Sequence, residues 1–146
     1  MARSDLAGAW EGASAAGCTN HGRYGFNPCF KVILRQRAAL IARLSLDGAE
    51  GRGRGGGPAL SLALFASEAG ASSLGMPPGA SPASPAARAA SNKGVYSAAA
   101  CGAALGPVTL EPGSYLLVPS TFDPWPGAYR IALFSNPPAA AISQIQ

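Results

Sequence analysis

Residues 110–136, LEPGSYLLVPSTFDPWPGAYRIALFSN, constrain the fold more than any other stretch, because strand length, side-chain alternation and turn chemistry agree across it. Glu111, Pro112 and Gly113 have turn composition and lead into a strand-favouring run at 114–118. Pro119, with no N–H to give a ladder, ends that strand. Ser120 and Thr121 offer hydroxyls to local backbone groups, and Asp123-Pro124-Trp125-Pro126-Gly127 has the composition of a wide turn. The return strand, 128–135, sets Tyr129, Ile131 and Leu133 on one face and Arg130 and Ala132 on the other. Together the two runs read as a β-hairpin.

The remaining chain gives weaker signals. Its 146 residues suit one domain, and a domain of that size buries about two-thirds of its unfolded surface. Hydrophobic residues make up 48%, but many are alanine, so the core falls to the Leu, Ile, Val, Phe and Tyr of a few strands. Asn27-Pro28 forces extended backbone and opens a strand with Phe30, Val32 and Leu34 on one face and Lys31 and Arg35 on the other. Residues 38–46, AALIARLSL, fit a helical stripe as well as a strand, whereas 59–66 alternate more clearly as β. Short strands are expected at 95–97 and 107–110. Residues 48–57, GAEGRGRGGG, and 67–91, rich in Ala, Ser, Pro and Gly, read as mobile insertions. Residues 1–9 read as a flexible lead-in before Trp10, and 137–146 as a flexible tail, leaving a domain over 10–136.

Two motifs carry a family resemblance. GSYLLVPSTFDP at 113–124 followed by GAYRIALFS at 127–135 resembles the closing pattern G-x-Y-x-x-V-P-S-T-F-x-P … G-x-[FY]-x-[IL]-x-[VL]-[FY]-S of the calpain β-sandwich domain. Trp10, then SAAGCTN at 14–20 and NPCFKV at 27–32, resembles that domain's opening W … S-A-G-G-C-x-N … N-P-Q-[FY], with Ala16 in place of the first glycine. The matching residues are Trp10, Gly17, Cys18, Asn20, Asn27, Pro28, Gly113, Tyr115, Pro119, Ser120, Thr121, Phe122 and Gly127. Gly17 suits a close approach or a positive φ. The resemblance implies an antiparallel β-sandwich of about eight strands in two sheets, C2-like, and decides 38–46 in favour of strand. It implies a regulatory or targeting domain of a calpain-type cysteine peptidase, contacting a protease core, in cis or in trans, or an anionic phospholipid membrane. A free-standing lipid- or protein-binding adaptor with no peptidase attached is the alternative.

Catalytic chemistry finds little support in the residues themselves. Cys18, Asn20 and His21 are the residue types of a papain-like triad, but such triads assemble from distant segments with the cysteine at a helix N-terminus. Cys18, Cys29 and Cys101 are odd in number and widely spaced, which reads as reduced thiols in a cytoplasmic protein. They do not offer zinc a full tetrahedral set, and the scattered carboxylates do not offer calcium its oxygen shell. The acidic loop that typical calpains carry corresponds to Arg35-Gln36-Arg37, which is basic. The GRGRGG at 51–56 is followed by Pro58 and a strand pattern, against a dinucleotide loop, and a single Arg-Gly element is weak support for nucleic-acid binding. No cofactor is expected. Asp5 and Glu11 interrupt any signal-peptide core, and no stretch is apolar enough to span a bilayer. The net charge of +4 suits a basic surface for anionic lipid headgroups or for an acidic partner domain, with plain solubility as the default reading. Lys31, Arg35, Arg37 and Arg43 on consecutive strands, with Arg52 and Arg54 on the next loop, are the expected contacts to an anionic surface.

Overall fold

The computed structural model describes residues 2–18, 24–46, 58–66, 81–84, 87–98, 102–137 and 141–144, and over them the chain is an all-β sandwich. Its strands are β1 (Ala2–Trp10), β2 (Phe30–Leu34), β3 (Ala38–Leu46), β4 (Ala59–Ala66) and β5 (Ala87–Ala90), then β6 (Ser97–Ala98), β7 (Ala103–Leu110), β8 (Gly113–Thr121), β9 (Gly127–Asn136) and β10 (Ala141–Gln144). The first sheet runs β1-β9-β3-β7; the second runs β10-β2-β8-β4-β5, with β6 also on β4. All pairings are antiparallel. The described strands number ten, against the eight or so expected.

The hairpin expected over 110–136 is not one. Both strands are present, but β8 lies in the second sheet and β9 in the first, as does β7. Each turn therefore carries the chain across the core. Tyr115 and Leu117 of β8 face Tyr129, Ile131 and Leu133 of β9 through one shared cluster. The physical reason lies in the turn: packed sheets stand about 10 Å apart and paired strands about 4.8 Å, and the wide Pro-rich connection suits the larger gap. β8 also runs through Pro119 to Thr121 instead of ending there. Proline is tolerated because β2 stops at Phe30, opposite Leu117, leaving β8 an edge on that side. On the other side Leu62 stands opposite Pro119 with its N–H turned away, donating to Ser91 Oγ at 3.0 Å.

Three expected flexible regions are corrected. Residues 2–9, read as a lead-in, form most of β1, which pairs with β9 from Ala2↔Ser135 to Trp10↔Gly127. Small residues hid this strand: Gly8 lies opposite Tyr129, and a Cβ there would come within 2.5 Å of the Tyr129 hydroxyl, so the absent side chain makes room for the ring. In the tail read over 137–146, Ala141–Gln144 pairs with β2, and Ile142 packs against the core. The insertion read over 67–91 includes Ala87–Ala90 paired with β4 and a buried Ser91; residues 48–57 lie outside the described residues. The ambiguous 38–46 is strand, with Leu40, Ala42 and Leu44 buried and Arg43 exposed. β7 carries a bulge where Leu40 pairs Val108 and Ala42 pairs Leu105. Gly106 sits there at φ +92°, where a Cβ would strike the Leu40 carbonyl.

The main core lies between the sheets. A second cluster covers the outer face of the second sheet, where Tyr24 and Cys29 pack on Phe65, Leu116 and Val118. β4 is thus buried on both faces. Burial pushes the Cys29 thiol from 9.0 up to about 12 and the Tyr96 hydroxyl from 10.0 up to about 12, against a smaller opposing effect of its hydrogen bond to Ser120. The folded state therefore holds these protons more tightly than the unfolded chain. Their contribution is fully present below pH 9.0 and is lost as the pH rises towards about 12. Urea midpoints are expected to be flat from pH 7 to 8.5 and to fall steadily above 9, more shallowly in Cys29→Ala; a midpoint unchanged at pH 11 would show that these groups do not ionise on unfolding.

Candidate functional site

The outward positions of the first sheet bring three arginines together. Strand pairing sets Arg3 beside Phe134 and Ile41, Asp5 beside Ala132 and Arg43, and Ala7 beside Arg130 and Ser45 in successive rows. Adjacent strands stand about 4.8 Å apart, so Arg3, Arg43 and Arg130, from three neighbouring strands, rim a floor of Ala7 and Ala132. The concavity has a volume of about 460 Å³ and is lined also by Asp5 and Ser45, within the size range of small-ligand sites. Long cationic side chains around short neutral ones make the hollow.

The charges in it are partly organised. Arg3 Nε and one terminal nitrogen each lie 3.1 Å from Asp5 Oδ1, and the guanidinium sits 5.4 Å from the Phe134 ring centre. Both partners of that ion pair are well exposed, so its worth to stability is small; its consequence is to hold Arg3 against the sheet. Arg43 spreads towards Gly102, where a Cβ would be 3.7 Å from its Nε. Among the described residues that line it, three guanidinium groups stand against one carboxylate. Such a site can neutralise an anion with planar, forked donors.

The sequence-expected basic patch does not form as drawn. β2 and β3 are consecutive but belong to different sheets, so Lys31 and Arg43 face opposite sides of the sandwich. Arg35 and Arg37 lie between those strands, and Arg37 Nε stands 3.6 Å from Glu111 Oε2 in an exposed pair. Arg52 and Arg54 lie outside the described residues. Of the expected contacts that are described, Arg43 alone lines the groove. Arg130 was legible as an outward residue of its strand; Arg3 was not, because its strand was missed.

The motif residues gather elsewhere and have structural work. Trp10 Nε1 donates to the Pro119 carbonyl at 3.2 Å. Asn27 Nδ2 donates to Gly17 O at 2.9 Å and Tyr24 O at 3.0 Å, tying the segment after Trp10 to the start of β2 through Pro28. Gly17 takes φ +73°. Cys18 donates its N–H to Phe122 O at 3.0 Å, and Phe122 N–H donates to Ala59 O. Tyr115 Oη reaches Glu111 O across the turn at 2.6 Å, beside Gly113 at the head of β8. Thr121 Oγ1 reaches Asp123 O at 2.6 Å. Ser120 Oγ and Tyr96 Oη are 2.9 Å apart. At Gly127 a Cβ would strike the Trp125 ring. Asn27→Ala should therefore lower stability by about 1–3 kcal/mol by leaving buried carbonyls without their donor, read as a lower urea midpoint at unchanged slope; an unaltered midpoint would mean that water replaces the amide fully.

Cys18 is buried, and Asn20, His21 and Cys101 lie outside the described residues. Among the described residues no three His, Cys, Asp or Glu side chains converge as a metal site would require, and no helix is long and apolar enough to cross a membrane. No protein-family model matches the sequence, and no curated protein matches it.

Proposed function

We propose that this chain is a non-catalytic β-sandwich module of a calpain-type cysteine peptidase that docks on an anionic membrane surface. The observation that carries the docking is the convergence of Arg3, Arg43 and Arg130 on one face from three strands. Each such charge near an anionic surface contributes about 1 kcal/mol. The peptidase connection rests on the motif resemblance at the two edges of the domain. Sedimentation with phosphatidylserine-containing vesicles at low and high salt tests the docking. Binding that weakens as salt rises supports it, and no binding at low salt overturns it. The module itself cuts no peptide bond, so the purified chain is expected to leave casein intact with or without thiol reagents.

A further inference from the structure

Strands β1, β7, β5 and β10 form the edges of the two sheets, and the last three are guarded against a further strand. β5 and β10 run four residues each, and β5 is out of step with β4 between Leu64 and Phe65. β7 is interrupted by its bulge and by Pro107. Short length, bulges and proline are the usual protections of a sheet edge. β1 has none of them. It pairs with β9 over nine residues without a register shift and contains no proline, and among the described residues no strand pairs with its outer side. The uncovered edge shows in its side chains. Tyr129, Ile131, Leu133 and Ser135 on the inner face of β9 are buried, whereas Ser4, Leu6 and Gly8 beside them on β1 are only partly so.

An open edge accepts another extended strand through its backbone groups, and the side chains decide which one. β1 carries Arg3 and Asp5 on its outer face, opposite in sign and two residues apart. A copy of this strand laid antiparallel beside it, with its Arg3 opposite Asp5, necessarily sets its Asp5 opposite Arg3. The strand is its own electrostatic complement. We infer that β1 pairs with β1 of a second copy of this chain, antiparallel and centred on Ser4, with Arg3 opposite Asp5 and Ala2 opposite Leu6. The ion pair within each strand is kept. Paired residues lie about 4.5–5.5 Å apart, so each guanidinium stands between its own Asp5 and that of the other copy. The two neighbouring registers that preserve the faces put Arg3 on Arg3 or Asp5 on Asp5, and like charges directly opposite are unfavourable. The contact is two-fold and self-closing, so assembly stops at a dimer. It joins the two β1-β9-β3-β7 sheets into one, with both arginine-lined grooves on the same face.

Sedimentation velocity of the full chain over a rising concentration series, without lipid, reads this directly. Wild type is expected to pass from monomer to dimer. Arg3→Asp and Asp5→Arg each set like charges opposite one another at both ends of the contact, and each alone is expected to weaken the dimer about tenfold or more. Mixed in equal amounts they are expected to recover it, because one presents two carboxylates and the other two guanidinium groups to the same register. Neither variant can make the Arg3–Asp5 pair within its own strand, so recovery on mixing has no explanation inside a single chain. Both positions are exposed, and matching far-UV circular dichroism shows that the variants keep the fold. Wild type that stays monomeric throughout the series overturns the inference. So do variants that each self-associate as wild type does, since the contact then lies elsewhere, and so does a mixture that remains monomeric.

Discussion

Trp10→Ala is expected to lower the stability of the fold by about 4–6 kcal/mol, read as a large drop in the urea midpoint. Trp10 is fully buried, with its ring 4.6 Å from Tyr129 and 6.0 Å, edge-on, from Trp125. Its indole N–H fills the Pro119 carbonyl, which β2 is too short to reach. Truncating a buried Trp costs about 3–5 kcal/mol, and stranding the carbonyl adds about 1 kcal/mol. A domain of ordinary stability has about 5–15 kcal/mol in total. The loss also propagates. Trp10 is the last residue of β1, opposite Gly127, and the rest of that strand is mostly Ala, Gly, Ser and charge. Without its anchor β1 has little apolar area to hold it on β9, and Arg3 and Asp5 leave the groove with it. Trp10→Phe keeps most of the ring packing and loses only the donor, so its urea midpoint should lie between wild type and Trp10→Ala. A Trp10→Ala variant within about 1 kcal/mol of wild type would mean that β1 is held by something other than this side chain.

Replacing Arg3, Arg43 and Arg130 together by glutamine is expected to remove about 3 kcal/mol of vesicle affinity, on the order of a hundredfold in Kd. All three project outward from the first sheet, and the Arg3–Asp5 pair is solvent-exposed, so the fold should survive with an unchanged urea midpoint. Single substitutions should each lose about a third of the free energy and each flatten the salt dependence. A triple variant that binds as wild type would place the anionic contact elsewhere on the molecule.

What the sequence revealed follows from which signals are local. β9 was readable because Tyr129, Ile131 and Leu133 alternate with Arg130, and one face of that strand really is solvated. β2 was readable for the same reason. The relation between β8 and β9 was not, because alternation tells which face of a strand is buried and not whether the buried faces lie side by side or opposite. β1 was missed because Gly8 and its alanines carry no pattern of their own; the strand exists through pairing with β9 and the docking of Trp10. Pro119 misled for a related reason, since proline is excluded only from strands paired on both sides. The groove failed to appear for both causes at once. Arg3 lay in a strand that gave no sign of itself, and grouping basic residues by nearness in sequence put Lys31 with Arg43, although consecutive strands β2 and β3 lie in different sheets.

The central claim is that position in the first sheet, not net charge, makes the anionic site. A pair of charge-matched variants tests this most directly: Arg3, Arg43 and Arg130 to glutamine in one, Lys31, Arg35 and Arg37 to glutamine in the other. Each removes the same charge. Measured against the same anionic vesicles at one ionic strength, the first is expected to lose binding and the second to keep most of it. Equal losses in the two would contradict the account, since affinity would then follow total charge and the groove would have no part in it.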